Sequence, residues 1–111
     1  MQITSFHSVE DNASGTTGAA YAVAKSIDMT GFRNCLILIK NNDATNTMYY
    51  KVDGYAKQAG TLSNPEVVET SLAVSTTVPV VLDGKTRSKY VISVKNNTGV
   101  CAFTIEFIKG N

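Results

Sequence analysis

The most constraining feature of this sequence is a two-residue alternation of apolar and other side chains in short runs. In the last run, Cys101, Phe103, Ile105 and Phe107 alternate with Ala, Thr and Glu. Successive side chains of a β-strand point to opposite faces, so this spacing places one face on a core and the other in solvent. No segment shows the sustained i, i+3, i+4, i+7 apolar stripe of an amphipathic helix. The pattern therefore predicts an all-β protein.

Eight such runs, separated by clusters of Gly, Asn, Asp and Ser, are predicted as strands. Their approximate bounds are residues 2–8, 20–29, 33–41, 47–56, 65–72, 76–82, 89–96 and 101–109. The Ala-rich residues 19–25 are the place where a short helix could replace a strand. Eight short strands in a chain of 111 residues predict a single antiparallel β-sandwich domain, residues 1–111, of jelly-roll-like type.

Local signals add detail to this expectation. Residues 10–18 are rich in Asn, Ser, Gly and Thr, which predicts a loop that is mobile unless a neighbouring chain orders it. Residues 96–99 read Asn-Asn-Thr-Gly, which is hairpin-turn chemistry and predicts that the last two strands pair antiparallel. Pro79 has no N–H to give to a ladder, so its strand is expected at a sheet edge or a bulge.

Composition excludes several classes of protein. The chain is 43% hydrophobic and 17% charged with a formal charge of +1, so neither a disordered tail nor a nucleic-acid-binding field is indicated. No stretch reaches the roughly 18 apolar residues that cross a bilayer, and the first ten residues lack the apolar segment of a secretory signal. We therefore expect a soluble, unexported protein with no membrane partner.

Motifs of catalytic or metal chemistry are missing from the sequence. His7 is the single histidine, and Cys35 and Cys101 form neither a C-x-x-C nor a metal-ligand spacing. The two thiols are interpreted as buried small hydrophobes, with a disulfide as the alternative. Glu66 and Glu69 fall on opposite strand faces and are interpreted as solvated charges. We expect no enzyme activity, no cofactor and no metal.

The loop at residues 41–46 is rich in side-chain oxygens, because it contains three asparagines and an aspartate. Calcium takes six to eight oxygen ligands, but a single carboxylate supplies little of the charge of a tight site. Turn formation is the favoured interpretation of this loop.

Six residues are candidates for an interface with other subunits. Leu36 and Leu38 make the third strand apolar on both faces, so the second face needs cover from residues 19–24 or from a neighbouring subunit. Tyr49 and Tyr55 lie opposite the apolar face of the fourth strand, where rings can anchor an interface or stack on sugars. Packing against neighbouring strands explains the two rings equally well. The positive charges of Lys85 and Arg87 suit an acidic partner surface, or an ordinary solvated loop.

A family resemblance follows the rhythm of the later strands. The segments YKVDGY at residues 50–55, EVVETSLA at 66–73, YVISVKN at 90–96 and FTIEF at 103–107 resemble small β-sandwich structural proteins of tailed bacteriophages. The resemblance implies a virion protein, such as a capsid decoration subunit or a neck or tail component. Such a protein assembles in the host cytoplasm as a homo-oligomer, binds other virion proteins and has no catalytic residue to carry over. A carbohydrate-binding jelly-roll module is the alternative.

Overall fold

The computed structural model describes residues 8–97 and 99–111, which form eight strands and no helix. The strands are β1 (Ser8–Thr16), β2 (Ala22–Asp28), β3 (Asn34–Asn41), β4 (Met48–Tyr55), β5 (Ser63–Leu72), β6 (Thr77–Leu82), β7 (Lys89–Lys95) and β8 (Ala102–Gly110). The predicted first strand, residues 2–8, lies outside the described residues apart from Ser8. The other seven predicted strands are present with small shifts in their bounds.

The strands form two four-stranded antiparallel sheets that pack face to face. One sheet has the order β1-β8-β3-β6 and the other the order β2-β7-β4-β5. Only the β4–β5 connection joins neighbours in one sheet, and every other connection crosses between the sheets. This is the strand order of a jelly roll, so the predicted all-β sandwich is confirmed.

One hydrophobic core fills the space between the sheets. Ile92 and Val94 of β7 belong to the same buried cluster as Phe103, Ile105 and Phe107 of β8. The alternation in these two strands therefore identified the inward face of each. Both cysteines are free and buried, and burial raises the pKa of the Cys35 thiol to about 11.

The prediction that β7 and β8 pair with each other is wrong. β7 pairs with β2 and β4, whereas β8 pairs with β1 and β3, so the two consecutive strands belong to different sheets. The buried Asn96 side chain donates to the Thr47 carbonyl at 2.5 Å and accepts from the Gly99 N–H. The two strands share a core because their apolar faces oppose each other across it.

The predicted loop at residues 10–18 is also wrong, because most of it belongs to β1. This nine-residue strand pairs with β8 from Ser8–Gly110 to Thr16–Ala102 without a register shift. Its side chains are mostly polar and exposed, so it is held chiefly by backbone hydrogen bonds rather than by burial. Inward-pointing Asp11 adds an ion pair of 3.3 Å to Lys25 of β2 and so links the two sheets.

Candidate subunit interfaces

The outer face of the β1-β8-β3-β6 sheet carries an apolar patch. Its centre is Leu36, which lies between Ile108 of β8 and Val81 of β6, and the next row places Leu38 beside Pro79. We call these five residues the outer patch. Leu36 is 36% exposed and Val81 60% exposed, while Leu38 and Ile108 are half-buried. An apolar surface around the middle strand β3 is therefore exposed to water.

Charged side chains border the outer patch. Glu10 of β1 is paired with Ile108 and Glu106 with Leu38, so two carboxylates line the β1 side, while Lys40 continues the β3 row. The two carboxylates line a shallow groove of about 490 Å³ over Leu36 and Leu38. An apolar centre with a charged rim is the usual anatomy of a protein interface.

The expectation that residues 19–24 cover this face is wrong. Ala22–Asp28 forms β2, which is paired with β7 in the opposite sheet. Among the described residues, no segment lies over the outer patch, so the Leu36 side chain remains exposed to solvent. Cover of this face by a neighbouring subunit stays a prediction.

The tyrosines predicted as interface residues lie on the outer face of the other sheet. Tyr49 is paired with Lys95 across β4 and β7, and the Lys95 ammonium lies 5.8 Å from the Tyr49 ring centroid. Tyr55 is paired with Lys89 in the same way, at 4.7 Å. Both tyrosines are half-buried, so part of each ring face is already taken by a lysine of the same chain.

A third tyrosine, which the sequence did not indicate, forms the centre of this face. The ammonium groups of Lys51 and Lys95 lie 4.6 and 4.9 Å from the Tyr21 ring centroid. The Tyr21 hydroxyl donates a 2.6 Å hydrogen bond to Glu69, which also pairs with Lys95 at 3.2 Å. Partial burial and the Glu69 carboxylate raise the pKa of Tyr21, while the hydrogen bonds from Tyr21 and Lys95 lower the pKa of Glu69. The charged groups of this cluster are therefore paired with groups of the same chain.

Lys85 and Arg87 both contact a carboxylate of their own chain, that of Glu66. Arg87 donates to Glu66 through Nε at 3.1 Å and Nη2 at 2.8 Å, and the Lys85 ammonium lies 3.9 Å from the same carboxylate. The Glu66 side chain is only 2% exposed, so its interpretation as a solvated charge is wrong. The structure therefore places these two cations on a buried internal partner, and a role at an interface remains a prediction.

The asparagine-rich loop forms a turn between β3 and β4. The Asp43 carboxylate accepts the backbone N–H of Thr45 at 3.0 Å and of Asn46 at 2.6 Å. Buried Asn41 donates to the carbonyls of Asn46 and Leu72. Within residues 8–97 and 99–111, no group of three His, Cys, Asp or Glu side chains is placed to hold a metal ion. His7 lies outside these residues.

Comparison with known structures identifies several jelly rolls of the same size. YomS, a protein derived from the SPBc2 prophage, superposes with a TM-score of 0.60 at 14% identity over 100% of this chain and 99% of its own. PirA superposes with 0.57 at 12% identity over 100% and 99%. A structure from Bacillus endospore appendages, described as disulfide-linked pili, superposes with 0.53 at 10% identity over 96% and 91%. These likenesses show the fold alone.

Sequence comparison adds no relative. No protein-family model matches the chain, and no curated protein matches it.

Proposed function

We propose that this protein is a structural component of a phage virion, an auxiliary or decoration subunit of the capsid or a neck or tail component. It works by packing against other subunits. The observation that carries the proposal is the exposed outer patch, which has an apolar centre and a charged rim on a four-stranded sheet. Burial of such a patch stabilises association by about 25 cal/mol for each Å² of apolar surface removed from water.

The comparisons support the class of protein without naming its place in the particle. A prophage-derived protein shares the fold over the whole length of both chains. No helix within the described residues is long and apolar enough to cross a membrane. The shared fold agrees with a subunit that assembles with other virion proteins.

Action by binding rather than by catalysis is part of the same proposal. Across the described part of the chain, the conspicuous charged groups serve structural ion pairs: Glu66 with Arg87, Glu69 with Lys95 and Asp11 with Lys25. Both thiols are buried, and the pKa of each is raised by burial, which keeps it in the unreactive protonated form.

The carbohydrate-binding alternative needs open aromatic faces. Sugars stack on ring faces, but lysine ammonium groups lie over Tyr21, Tyr49 and Tyr55. On those ring faces a sugar would have to displace the lysines, which disfavours the aromatic surface as a glycan platform.

The proposal is tested on purified particles of the phage whose genome encodes the chain. Particles are banded by density and their proteins are quantified by mass spectrometry. We expect the chain in a fixed ratio to the major capsid protein, and binding of the purified chain to a glycan array at background level. Absence from the particles would refute the virion role, and selective glycan binding would favour the alternative.

A further inference from the structure

The four sheet edges of this jelly roll differ in how they are protected. β6 carries Pro79, β5 carries Pro65 and register irregularities, and β2 has a register shift between Val23 and Lys25. β1 has no proline, no lysine and no register shift over the nine residues that pair with β8. Its one inward-pointing charge, Asp11, is paired with Lys25 of its own chain at 3.3 Å. Proteins commonly blunt edge strands with such devices, because an open edge is a template for another strand. β1 is the edge left available.

The free backbone groups of β1 belong to its even-numbered residues. In an antiparallel ladder, alternate pairs exchange hydrogen bonds. The Thr17 N–H donates to the Cys101 carbonyl at 2.9 Å, which continues the β1–β8 register and assigns the odd-numbered residues to the β8 side. The Asn12 N–H instead donates to the adjacent Asp11 carboxylate at 2.8 Å. The N–H and carbonyl groups of residues 8, 10, 12, 14 and 16 therefore point away from β8.

We propose that β1 pairs antiparallel with β1 of a second copy of this chain about a two-fold axis at Asn12. This register pairs all nine residues, and every outward-facing N–H of one β1 donates to an outward-facing carbonyl of the other. It places Glu10 opposite Ser14 and Asp11 opposite Ala13, so no carboxylate faces another. Shifting the axis to Asp11 or Glu10 would set like charges directly opposite each other, which is destabilising.

Charge and register thus favour a second copy as the occupant of the edge. The Asp11 carboxylate gives up the Asn12 N–H on pairing and keeps its ion pair with Lys25. The two β1-β8-β3-β6 sheets become one eight-stranded sheet, and residues on the same face remain on the same face. Both outer patches then point in one direction. Their use as a double attachment surface rests on the proposed virion role, whereas the pairing itself does not.

Substitutions at the axis test this arrangement with full-length protein. In Asn12→Lys, two ammonium groups meet across the axis, and in Asn12→Glu, two carboxylates do. We expect wild-type protein to dimerise reversibly in sedimentation velocity. Each variant alone should dimerise about three- to tenfold more weakly, because like charges oppose each other in the new pair. A one-to-one mixture of the two variants should recover dimerisation.

The matched control is Thr77→Lys on the β6 edge, which should dimerise like wild type. Circular dichroism checks that each variant is folded. A wild-type monomer at every concentration, or an Asn12→Lys variant that dimerises as tightly as wild type, would overturn the pairing. A β1 dimer that is absent from purified particles would instead refute the virion role alone, and a monomer present in particles would refute the pairing alone.

Discussion

At the scale of single residues, the ion pair between Arg87 and Glu66 sets the strictest steric requirement, because both side chains pack against Gly54. A Cβ atom added to Gly54 would lie 2.9 Å from Nε of Arg87 and 3.2 Å from Cγ of Glu66, so the missing side chain makes room for both partners. Glu66 lies where the β4–β5 register is irregular, which lets its side chain turn away from solvent. A glycine, a bulged strand and a cation from a distant loop together bury one carboxylate.

Glu66→Gln should therefore be much more damaging than Glu69→Gln on the same strand. Removing Glu66 leaves Arg87 without its partner, and breaking a buried pair in this way costs about 3–5 kcal/mol. Because the Arg87 side chain is 27% exposed, we expect a loss of about 2–3 kcal/mol in the free energy of unfolding. Urea denaturation measures it, with Glu69→Gln as the matched control. Equal effects of the two substitutions would contradict a special role for the buried carboxylate.

At the scale of elements, the sequence predicted the strands that bury a face and missed the one that does not. The alternation in β7 and β8 identified their inward residues, but the Asn-Asn-Thr-Gly sequence at residues 96–99 does not encode which sheet the next strand joins. β1 has no apolar alternation to detect, because it is an edge strand held by backbone bonds. Pro79 did predict an edge, since a missing N–H restricts a strand wherever the chain goes.

How well each candidate interface could be predicted depends on whether its residues are close together in the sequence. Leu36 and Leu38 stood out because they are local neighbours in one apolar strand. Tyr21 and Glu69 are 48 positions apart and meet only through the β2-β7-β4-β5 order, so no local pattern predicted their hydrogen bond. The partner of Arg87 escaped detection because Glu66 lies 21 positions away on a different element.

The β3–β4 turn should make stability depend on pH through Asp43. Hydrogen bonds from the N–H groups of Thr45 and Asn46 lower the pKa of its carboxyl. A folded-state pKa below the unfolded value contributes stability that is present above about pH 4 and lost as the pH falls through the folded pKa. Asp43→Asn should be less stable than wild type at pH 7, and the gap should narrow at lower pH. Urea denaturation at pH 7 and below about pH 4 measures this difference in the free energy of unfolding. A difference that does not change with pH would contradict the assignment.

At the scale of the whole molecule, the two faces of the β1-β8-β3-β6 sheet differ in their exposure to solvent. The inner face is closed by the opposite sheet, while the outer patch leaves Leu36 and Val81 in contact with water. The β1 edge lies beside this patch without being part of it, since Glu10 adjoins Ile108. A change in the patch can therefore alter attachment while the fold and the edge remain intact.

Replacing both Leu36 and Leu38 by Thr should weaken attachment to the virion without unfolding the protein. Each leucine contributes roughly 1.5–3 kcal/mol if a partner subunit buries it fully, and threonine is a β-branched residue that suits a strand. The measurement is co-sedimentation of purified protein with particles that lack the chain, together with circular dichroism and sedimentation of the protein alone. The matched control is Val23→Thr, because Val23 is 64% exposed and lies in a strand of the other sheet. Strand content and β1 pairing should stay unchanged in both variants, and only the leucine variant should lose binding to particles. Equal co-sedimentation of the leucine variant and the control would exclude the outer patch as the attachment surface.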